Sequence, residues 1–326
     1  MFSIVYVLTS NEKDYYYQQL MISLISLRKV MPKQDVIVLV DEDTYNSFSN
    51  DRGDIFNYAK IKKCSIPSEY SQKEKSRYLK TSLRSRVTGN FIFVDSDTVI
   101  CDNFSNYDNQ SIIAMVYDRN CLLSDRQDKG INICNTANRL ELPLNDTNQY
   151  FNSGVMWVRD DPIAYDFFNE WHLNWKKMLR FGMCVDQPSL NYVNVKWNNF
   201  IDVLGGEWNC QISLSPAGIQ YISSAHIMHY FNTRMDSPYL LCNEKEIRNY
   251  KKSDVVNRVL QNPRGAFKLC YLMTNDSSDD LIMNSKQYKL LKIIFEKMNR
   301  LYRFNERVLS ALSKIMKNKH KNWTKY

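Results

Sequence analysis

Residues 91–97 read Phe-Ile-Phe-Val-Asp-Ser-Asp, four apolar residues followed by two aspartates with one residue between them. A short apolar run of this kind is typical of a strand buried in an α/β sheet. Side chains alternate along an extended chain, so Asp95 and Asp97 are expected on one face of the carboxyl end, with Ser96 turned away. Ligands of open α/β sheets collect at that end.

Two hard oxygen ligands at the end of a strand suit Mg²⁺ or Mn²⁺, which fills its other positions with water and substrate phosphates. The pattern therefore predicts a divalent-metal site at Asp95 and Asp97. The alternative is an ordinary turn in which the aspartates cap the next element.

Length and composition fit a cytoplasmic globular protein. The 326 residues, 44% apolar and 13% aromatic, suffice for one large α/β domain with an appendage or for two small domains. No apolar run approaches the roughly 18–20 residues that span a bilayer. The first residues read as a strand rather than a signal peptide. The eight cysteines show no CxxC pair and no zinc spacing, which favours free thiols in a reducing compartment.

Strand and helix patterns alternate along the first half of the chain. Such alternation predicts a mostly parallel α/β sheet with helices on its faces. The aspartate and proline at 161–162 predict a helix start, and the aromatic stripe that follows is expected in the core. The predicted strands cover residues 4–8, 35–40, 91–95, 112–117 and 151–158, and the predicted helices cover residues 16–30 and 73–87 and begin again at 162.

The basic character of the chain belongs to its C-terminus. Residues 286–326 carry twelve Lys and Arg against two Glu, whereas the whole chain has a net charge of +8. The body is therefore close to neutral, so a nucleic-acid partner is not expected. The tail has an amphipathic helical pattern that favours either an anionic membrane surface or a helical hairpin or homodimer seam with solvated lysines.

Two cations precede the aspartates on the predicted helix. Lys80 lies fifteen residues before Asp95, and Arg77 lies one turn earlier on nearly the same helix face. Both could neutralise a pyrophosphate that the metal also binds. Either could equally be a solvated surface cation.

Three further patterns carry polar groups into the expected cleft. Asn152-Ser153-Gly154 opens a strand, and its glycine permits close approach of a ligand. Asp186-Gln187 pairs a carboxylate with an amide, with a helix cap as the alternative. His226 and His229 face opposite sides of an extended segment, so at most one of them can complete an Asp/Asp site; a lone histidine is more often structural.

Several enzyme classes are disfavoured by missing motifs. The sequence has no phosphate-binding GxxxxGK[ST] loop, no GxGxxG fingerprint and no GxSxG nucleophile elbow. P-loop NTPases, dinucleotide-dependent dehydrogenases and serine hydrolases are therefore poor fits.

The order of these pieces resembles the GT-A class of nucleotide-sugar glycosyltransferases, most closely glycosyltransferase family 8 and its bacterial relatives. The resemblance covers about residues 1–235 and predicts three parts: a catalytic domain at 1–235, a connecting segment at 236–285 and the tail at 286–326. The matching pieces, in chain order, are the strands at 4–9 and 36–41, Ser76-Arg77-Tyr78-Leu79-Lys80, residues 91–98, residues 151–155, Asp186-Gln187 and Ile227-Met228-His229-Tyr230.

The resemblance implies a role for each matching residue. It assigns the metal, Mn²⁺ or Mg²⁺, to Asp95, Asp97 and His229. It implies contacts to a nucleotide sugar, with a UDP-sugar as the expected donor. It also implies a donor-sugar and acceptor pocket in which Asp186, Gln187 and Asn152 take part in catalysis. The implied nucleotide-binding residues are Thr9, Asp41, Arg77, Lys80, Asp95 and Ser96, and the implied sugar-binding residues are Asn152, Ser153, Gly154, Asp186 and Gln187.

Two departures from the family pattern bear on the acceptor and the leaving group. The Lys-Pro-Trp sequence that follows the histidine in many relatives is absent, and Arg234 is the candidate replacement. Residues 118–149 form a long polar connection where acceptor choice is expected to reside.

The resemblance implies metal-assisted transfer of a sugar to a glycan or glycolipid in bacterial surface polysaccharide synthesis, with retention of configuration as the expected stereochemistry. Two alternatives remain at this point: a sugar nucleotidyltransferase, and a non-catalytic membrane-surface binding protein of the same fold.

Overall fold

The structure is a computed structural model that describes residues 2–126, 148–212, 216–230 and 244–272, together with scattered positions between 290 and 308. The chain forms two units, Met1–Leu269 and Cys270–Tyr326. Arg234 lies outside the described residues, as do most of the predicted acceptor connection, most of the tail, and residues 236–243 and 273–285 of the connecting segment. The three predicted domain boundaries stay predictions.

A seven-stranded sheet forms the centre of the first unit, in the order β3-β2-β1-β4-β7-β6-β8. β1, β2, β3 and β4 run parallel, β7 runs antiparallel to both of its neighbours, and β6 pairs with β8 in parallel. The predicted α/β class with a mostly parallel sheet is confirmed. The strands are β1 (Phe2–Leu8), β2 (Val36–Val40), β3 (Lys60–Lys63), β4 (Asn90–Val94), β6 (Ile113–Tyr117), β7 (Phe151–Val158) and β8 (Asp202–Val203).

A second sheet of three strands lies beside the end of β4. Its strands are β5 (Thr98–Ile100), β9 (Cys210–Gln211) and β10 (Ile227–His229), in the order β5-β10-β9. β5 and β10 are antiparallel, with His229 opposite Thr98. Because β5 begins three residues after Asp95, this pairing brings a distant histidine next to the two aspartates.

Helices pack around the sheets. Within the described ranges they are α1 (Tyr16–Val30), α2 (Glu42–Asn46), α3 (Gln72–Thr81), α4 (Pro162–Leu179), α5 (Gln187–Lys196), α6 (Glu244–Arg248), α7 (Asp254–Gln261) and α8 (Pro263–Leu272). No helix in this part of the chain is long and apolar enough to cross a bilayer.

Local sequence explains where α3 and α4 begin. Ser71 and Glu74 form a capping box at the start of α3, and the Asp161 side chain accepts a hydrogen bond from Ile163 N ahead of Pro162. The aromatic stripe of α4 is buried as predicted, except that Ile163 at its first turn is 42% exposed.

The prediction that one helix covers residues 73–87 was wrong at its end. α3 stops at Thr81, where the hydroxyls of Thr81 and Ser82 bond back to the carbonyls of Arg77 and Tyr78. Such local bonds compete with the helical ladder. The chain then turns, and Leu83 and Val87 pack into the main core instead of continuing the helix.

Candidate active site

Asp95, Asp97 and His229 form a cluster at the carboxyl end of β4. Each offers one ligand atom, and these atoms all lie within 4.8 Å of one another. His229 Nε2 is 3.1 Å from Asp97 Oδ1, and Tyr230 N donates to Asp97 O at 3.0 Å, which ties the end of β10 to the aspartate loop. The two carboxylates and the imidazole are a donor set that fits a divalent ion.

Gly154 in β7 makes this arrangement possible. A Cβ at that position would lie 2.4 Å from His229 Cε1, closer than real side chains approach. The Gly154 carbonyl also accepts a hydrogen bond from Asp95 N at 2.8 Å. Gly154 therefore holds Asp95 through its backbone carbonyl and, because it has no side chain, leaves room for His229.

The three ligand candidates differ in the direction of their pKa shifts. Burial raises the pKa of Asp95, and the neighbouring Asp97 adds to that rise against the opposing charge of Lys80. For Asp97, His229 outweighs burial and lowers the pKa. Burial alone would lower the pKa of His229, but Asp97 and Asp95 outweigh it and raise the pKa. The two carboxylates thus oppose each other's ionisation at Asp95, and an added cation would relieve that repulsion.

A cleft of about 350 Å³ opens beside this cluster. α3 contributes a row of side chains to it, among them Lys73, Arg77 and Lys80, which share one helix face. Its full lining is Val7, Leu8, Thr9, Tyr16, Gln19, Gln72, Lys73, Ser76, Arg77, Lys80, Phe93, Asp95, Ser96 and Asp97. Both predicted cations therefore border the same cleft as both aspartates.

The buried ammonium of Lys80 joins the aspartates to a third carboxylate. Its Nζ lies 2.9 and 3.0 Å from the two oxygens of Asp95 and 3.7 Å from Asp186 Oδ2. Arg77 Nε lies 3.0 Å from Asp186 Oδ1, and Ser153 donates to Asp186 Oδ2 at 2.6 Å. Burial would raise the pKa of Asp186, but Lys80, Arg77 and Ser153 hold it at about 2.

Asn152 and Gln187 converge on a different carboxylate. Asn152 Nδ2 donates to Asp118 Oδ1 at 2.9 Å, and Gln187 Nε2 donates to the same oxygen at 3.2 Å. Arg126 donates to Asp118 Oδ2 at 3.0 Å. The predicted sugar-binding residues thus surround two acids, the buried Asp186 and the partly buried Asp118.

The remaining predicted residues occupy varied positions. Thr9 lines the cleft and its hydroxyl donates to Gln72 O at 2.8 Å. Asp41 caps α2 through Thr44 N and lies 3.1 Å from Lys75 Nζ, and it is not among the residues that line the cleft. His226 faces away from the cluster as predicted, with Nδ1 3.4 Å from Asp102.

Sequence reasoning missed Asp118 and Asn209. Asp118 directly follows β6, the same strand-then-carboxylate signal that identified Asp95, so it could have been found. Asn209 is fully buried, and its Oδ1 lies 3.0 Å from His229 Nδ1. No local pattern marks Asn209, since its partners are far away in sequence.

Among solved structures, the chain is similar to three glycosyltransferases at low sequence identity. Mouse xyloside xylosyltransferase 1 is 14% identical with a TM-score of 0.46, over 71% of this chain and 97% of that one. The galactosyltransferase LgtC, solved with donor and acceptor sugar analogs, is 12% identical with a TM-score of 0.46, over 78% and 95%. GlyE of Streptococcus pneumoniae is 14% identical with a TM-score of 0.47, over 80% and 63%.

No curated protein matches the chain in sequence. The family comparison is decisive, because residues 30–254 match the nucleotide-diphospho-sugar transferase family and so span more than half of the chain. The protein therefore belongs to the nucleotide-diphospho-sugar transferase family and is a glycosyltransferase of the GT-A type that takes its sugar from a nucleotide-sugar donor.

Proposed function

We propose that this glycosyltransferase uses a UDP-sugar with Mn²⁺ or Mg²⁺ and adds the sugar to a glycan or glycolipid acceptor in bacterial surface polysaccharide synthesis. The main support is the convergence of Asp95, Asp97 and His229, with ligand atoms within 4.8 Å, on a cleft lined by cations. Divalent metals are common in GT-A transferases. Family membership decides against the nucleotidyltransferase and non-catalytic alternatives.

In this proposal the chain binds the donor through both the cluster and α3. A divalent ion, when bound, supplies positive charge for the departing nucleoside diphosphate. Lys80 and Arg77 add cationic charge from the helix beside it, where they can bind phosphate oxygens. Thr9 and Asp41 would contact the uridine, and residues 118–149 would select the acceptor. The donor sugar and acceptor would be held by Asn152, Ser153, Gly154, Asp186 and Gln187.

We further propose that the transfer retains anomeric configuration. An inverting enzyme needs a general base to activate the acceptor hydroxyl, and Asp186 is the carboxylate in that neighbourhood. Asp186 Oδ2 already accepts a hydrogen bond from Ser153, and Asp186 Oδ1 lies 3.0 Å from Arg77 Nε. These partners hold the pKa of Asp186 at about 2. A carboxylate so bound is a weak base, so we assign it to positioning Arg77 and Lys80. The anomeric configuration of the product, read by NMR, tests this assignment; inversion would refute it.

The decisive experiment is a screen of nucleotide sugars for Mn²⁺-dependent hydrolysis, measured as released diphosphate. Asp95→Ala should reduce the rate by about a hundredfold or more, because charge stabilisation of the leaving group is lost. Asp202→Ala removes an exposed carboxylate from β8, at the far edge of the sheet, and serves as the matched control. Equal rates in the two variants would refute the metal assignment.

The tail at 286–326 is proposed to hold the enzyme on the inner face of the membrane. Its twelve Lys and Arg against two Glu favour anionic lipid. Among its described residues, exposed apolar side chains recur at helical spacing, as expected for a helix lying in a lipid surface. They are Leu290, Ile293, Leu301, Phe304 and Val308.

Vesicle sedimentation tests the tail separately from catalysis. Removing residues 286–326 should abolish binding to anionic vesicles, leave neutral vesicles unbound as before, and preserve donor hydrolysis. A change from dimer to monomer on truncation, without any loss of vesicle binding, would identify the tail as a homodimer seam instead.

A further inference from the structure

A series of hydrogen bonds, buried except for its last, partly buried bond, runs from His229 to Asp118. His229 Nδ1 lies 3.0 Å from Asn209 Oδ1, and Asn209 Nδ2 donates to Asn152 Oδ1 at 3.0 Å. Asn152 Nδ2 then donates to Asp118 Oδ1 at 2.9 Å. Asn209 is fully buried, and Asn152 and His229 are nearly so. These hydrogen bonds therefore connect the candidate metal site with Asp118, the acid to which Gln187 also donates.

The direction of these hydrogen bonds is fixed at Asn152. The backbone N–H of Gly154 can only donate, and it lies 2.8 Å from Asn152 Oδ1. The carboxylate of Asp118, which pairs with Arg126, acts as an acceptor, and it faces Asn152 Nδ2. The two neighbours therefore demand the same orientation of the Asn152 amide, with its oxygen toward Asn209.

This orientation passes to the next two members. Because Asn152 presents an oxygen that accepts, Asn209 has to turn its Nδ2 toward Asn152 and its Oδ1 toward His229. An amide oxygen cannot donate, so the hydrogen of the last link belongs to His229 Nδ1. Asp97 Oδ1, 3.1 Å from Nε2, is an acceptor as well, so Nε2 can give its electron pair only to a metal that replaces the hydrogen there.

The backbone around Asn209 is held in place by hydrogen bonds with Asn120. Asn120 Nδ2 donates to Asn209 O at 2.9 Å, and Asn120 Oδ1 accepts from Gln211 N at 2.9 Å. Gly154 of β7 also approaches the imidazole of His229 closely, which limits the movement of the ring. The amide of Asn209 is thus held against His229 by groups outside the metal cluster.

We propose that Asn209 is a positioning residue that keeps a hydrogen on His229 Nδ1, so that Nε2 is the nitrogen that gives its electron pair to the metal. This inference rests on the proposed metal-dependent function and adds a residue to it. A partner that fixes the unligated nitrogen commonly strengthens metal binding by about tenfold to a hundredfold. Asn152 and Asp118 fix the orientation of the Asn209 amide and so act on His229 only through Asn209.

Three variants separate this role from ordinary packing. Asn209→Leu removes the acceptor at similar volume. Asn209→Asp restores an acceptor for Nδ1–H, although it gives up the donor to Asn152. Asn194→Leu is the matched control, because Asn194 is also fully buried and accepts a backbone hydrogen bond, from Ile201 N at 2.8 Å, away from the site.

The first measurement is the pair of imidazole ¹⁵N chemical shifts of His229 in the protein saturated with diamagnetic Mg²⁺, assigned with His229→Gln. We expect the wild type to show hydrogen on Nδ1, and Asn209→Leu to show a mixture of the two neutral forms. Hydrogen on Nε2 in the wild type would overturn the proposal. The wild-type spectrum decides this by itself, whether or not the variants fold.

The second measurement is Mn²⁺ affinity, from the electron paramagnetic resonance signal of the free ion. Asn209→Leu should bind Mn²⁺ about tenfold to a hundredfold more weakly, while Asn209→Asp and Asn194→Leu stay within about threefold of the wild type. Equal weakening in Asn209→Leu and Asn194→Leu would contradict a positioning role. Failure of the wild type to bind Mn²⁺ would contradict the metal function itself, whereas equally tight binding by the wild type and Asn209→Leu would contradict only the positioning role.

Discussion

His172 is partly buried and His229 is buried, and the two imidazoles lie in very different surroundings. His172 lies on α4 against α3, with its Nδ1 2.7 Å from Thr81 Oγ1. Its ring stacks on Trp175 at 5.9 Å and meets the edge of Tyr78 at 4.8 Å. Burial lowers its pKa to about 4, and the charges of Lys176 and Arg86 act in the same direction. This imidazole is a neutral part of the packing.

His229 sits between an amide and two carboxylates instead. Burial acts on it in the same sense as on His172, but Asp97 and Asp95 reverse the outcome and raise its pKa. The comparison shows that burial alone does not set the direction of a histidine's pKa shift. The charges that face the ring do, and those charges come from strands that are far apart in sequence.

The largest expected effect is on activity. His229→Leu should reduce Mn²⁺-dependent donor hydrolysis by about a hundredfold to a thousandfold, because a metal ligand is lost. His172→Phe should keep the rate within about threefold, since an aromatic ring replaces another in the same cluster. Initial rates of diphosphate release measure both. Similar losses in the two variants would break the comparison.

The next effect concerns the room that Gly154 leaves for His229. Gly154→Ala should lower the free energy of unfolding by about 1–3 kcal/mol, because the new Cβ forces the imidazole to move. It should also weaken Mn²⁺ binding by about tenfold. Gly53→Ala is the matched control, because nothing lies within 4 Å of a Cβ there. Urea unfolding and Mn²⁺ titration test both; normal Mn²⁺ affinity in Gly154→Ala would contradict the close contact.

The smallest effect is a pH dependence of opposite sign at the two histidines. Below pH 6.5 the unfolded chain protonates His172 more readily than the folded protein does, whose pKa there is about 4. The free energy of unfolding should therefore fall by about 2 kcal/mol as pH falls from 6.5 to 4, after allowing for partial solvent exposure. His172→Phe should lose this component.

His229 should behave in the opposite way in the metal-free protein. Its pKa is raised on folding, so its stabilising contribution is complete below pH 6.5 and is lost as pH rises through the folded value. Comparing His229→Gln with the wild type by urea unfolding across pH isolates this contribution. If the free energy of unfolding changed with pH in the same direction at both histidines, Asp95 and Asp97 would not reverse the effect of burial on His229.

The sequence predicts those parts of the site that local rules govern. Alternation along β4 places Asp95 and Asp97 together, and helix periodicity places Arg77 and Lys80 on the cleft. His229 could be brought to them only by resemblance to a family, since its position depends on the pairing of β10 with β5. Asn209 escaped prediction because its role depends on contacts with Asn152 and His229, which no periodicity encodes.

The limit of local rules is also visible in α3. Its start follows from the capping box of Ser71 and Glu74, yet its end at Thr81 depends on side chains that bond back to the helix and on the core that receives Leu83. The apolar pattern alone runs on to Val87. Helix ends of this kind are set by competition between local and tertiary contacts.

Gly154 has a consequence for how the strands find their partners. It belongs to β7 of the large sheet, while the imidazole it accommodates belongs to β10 of the small one. If β7 slipped by one residue, Ser153 or Val155 would meet the ring and the misaligned pairing would be penalised. The close contact at Gly154 thus disfavours shifted strand alignments during folding, so a chain that brings His229 to the two aspartates already has β7 in its correct register.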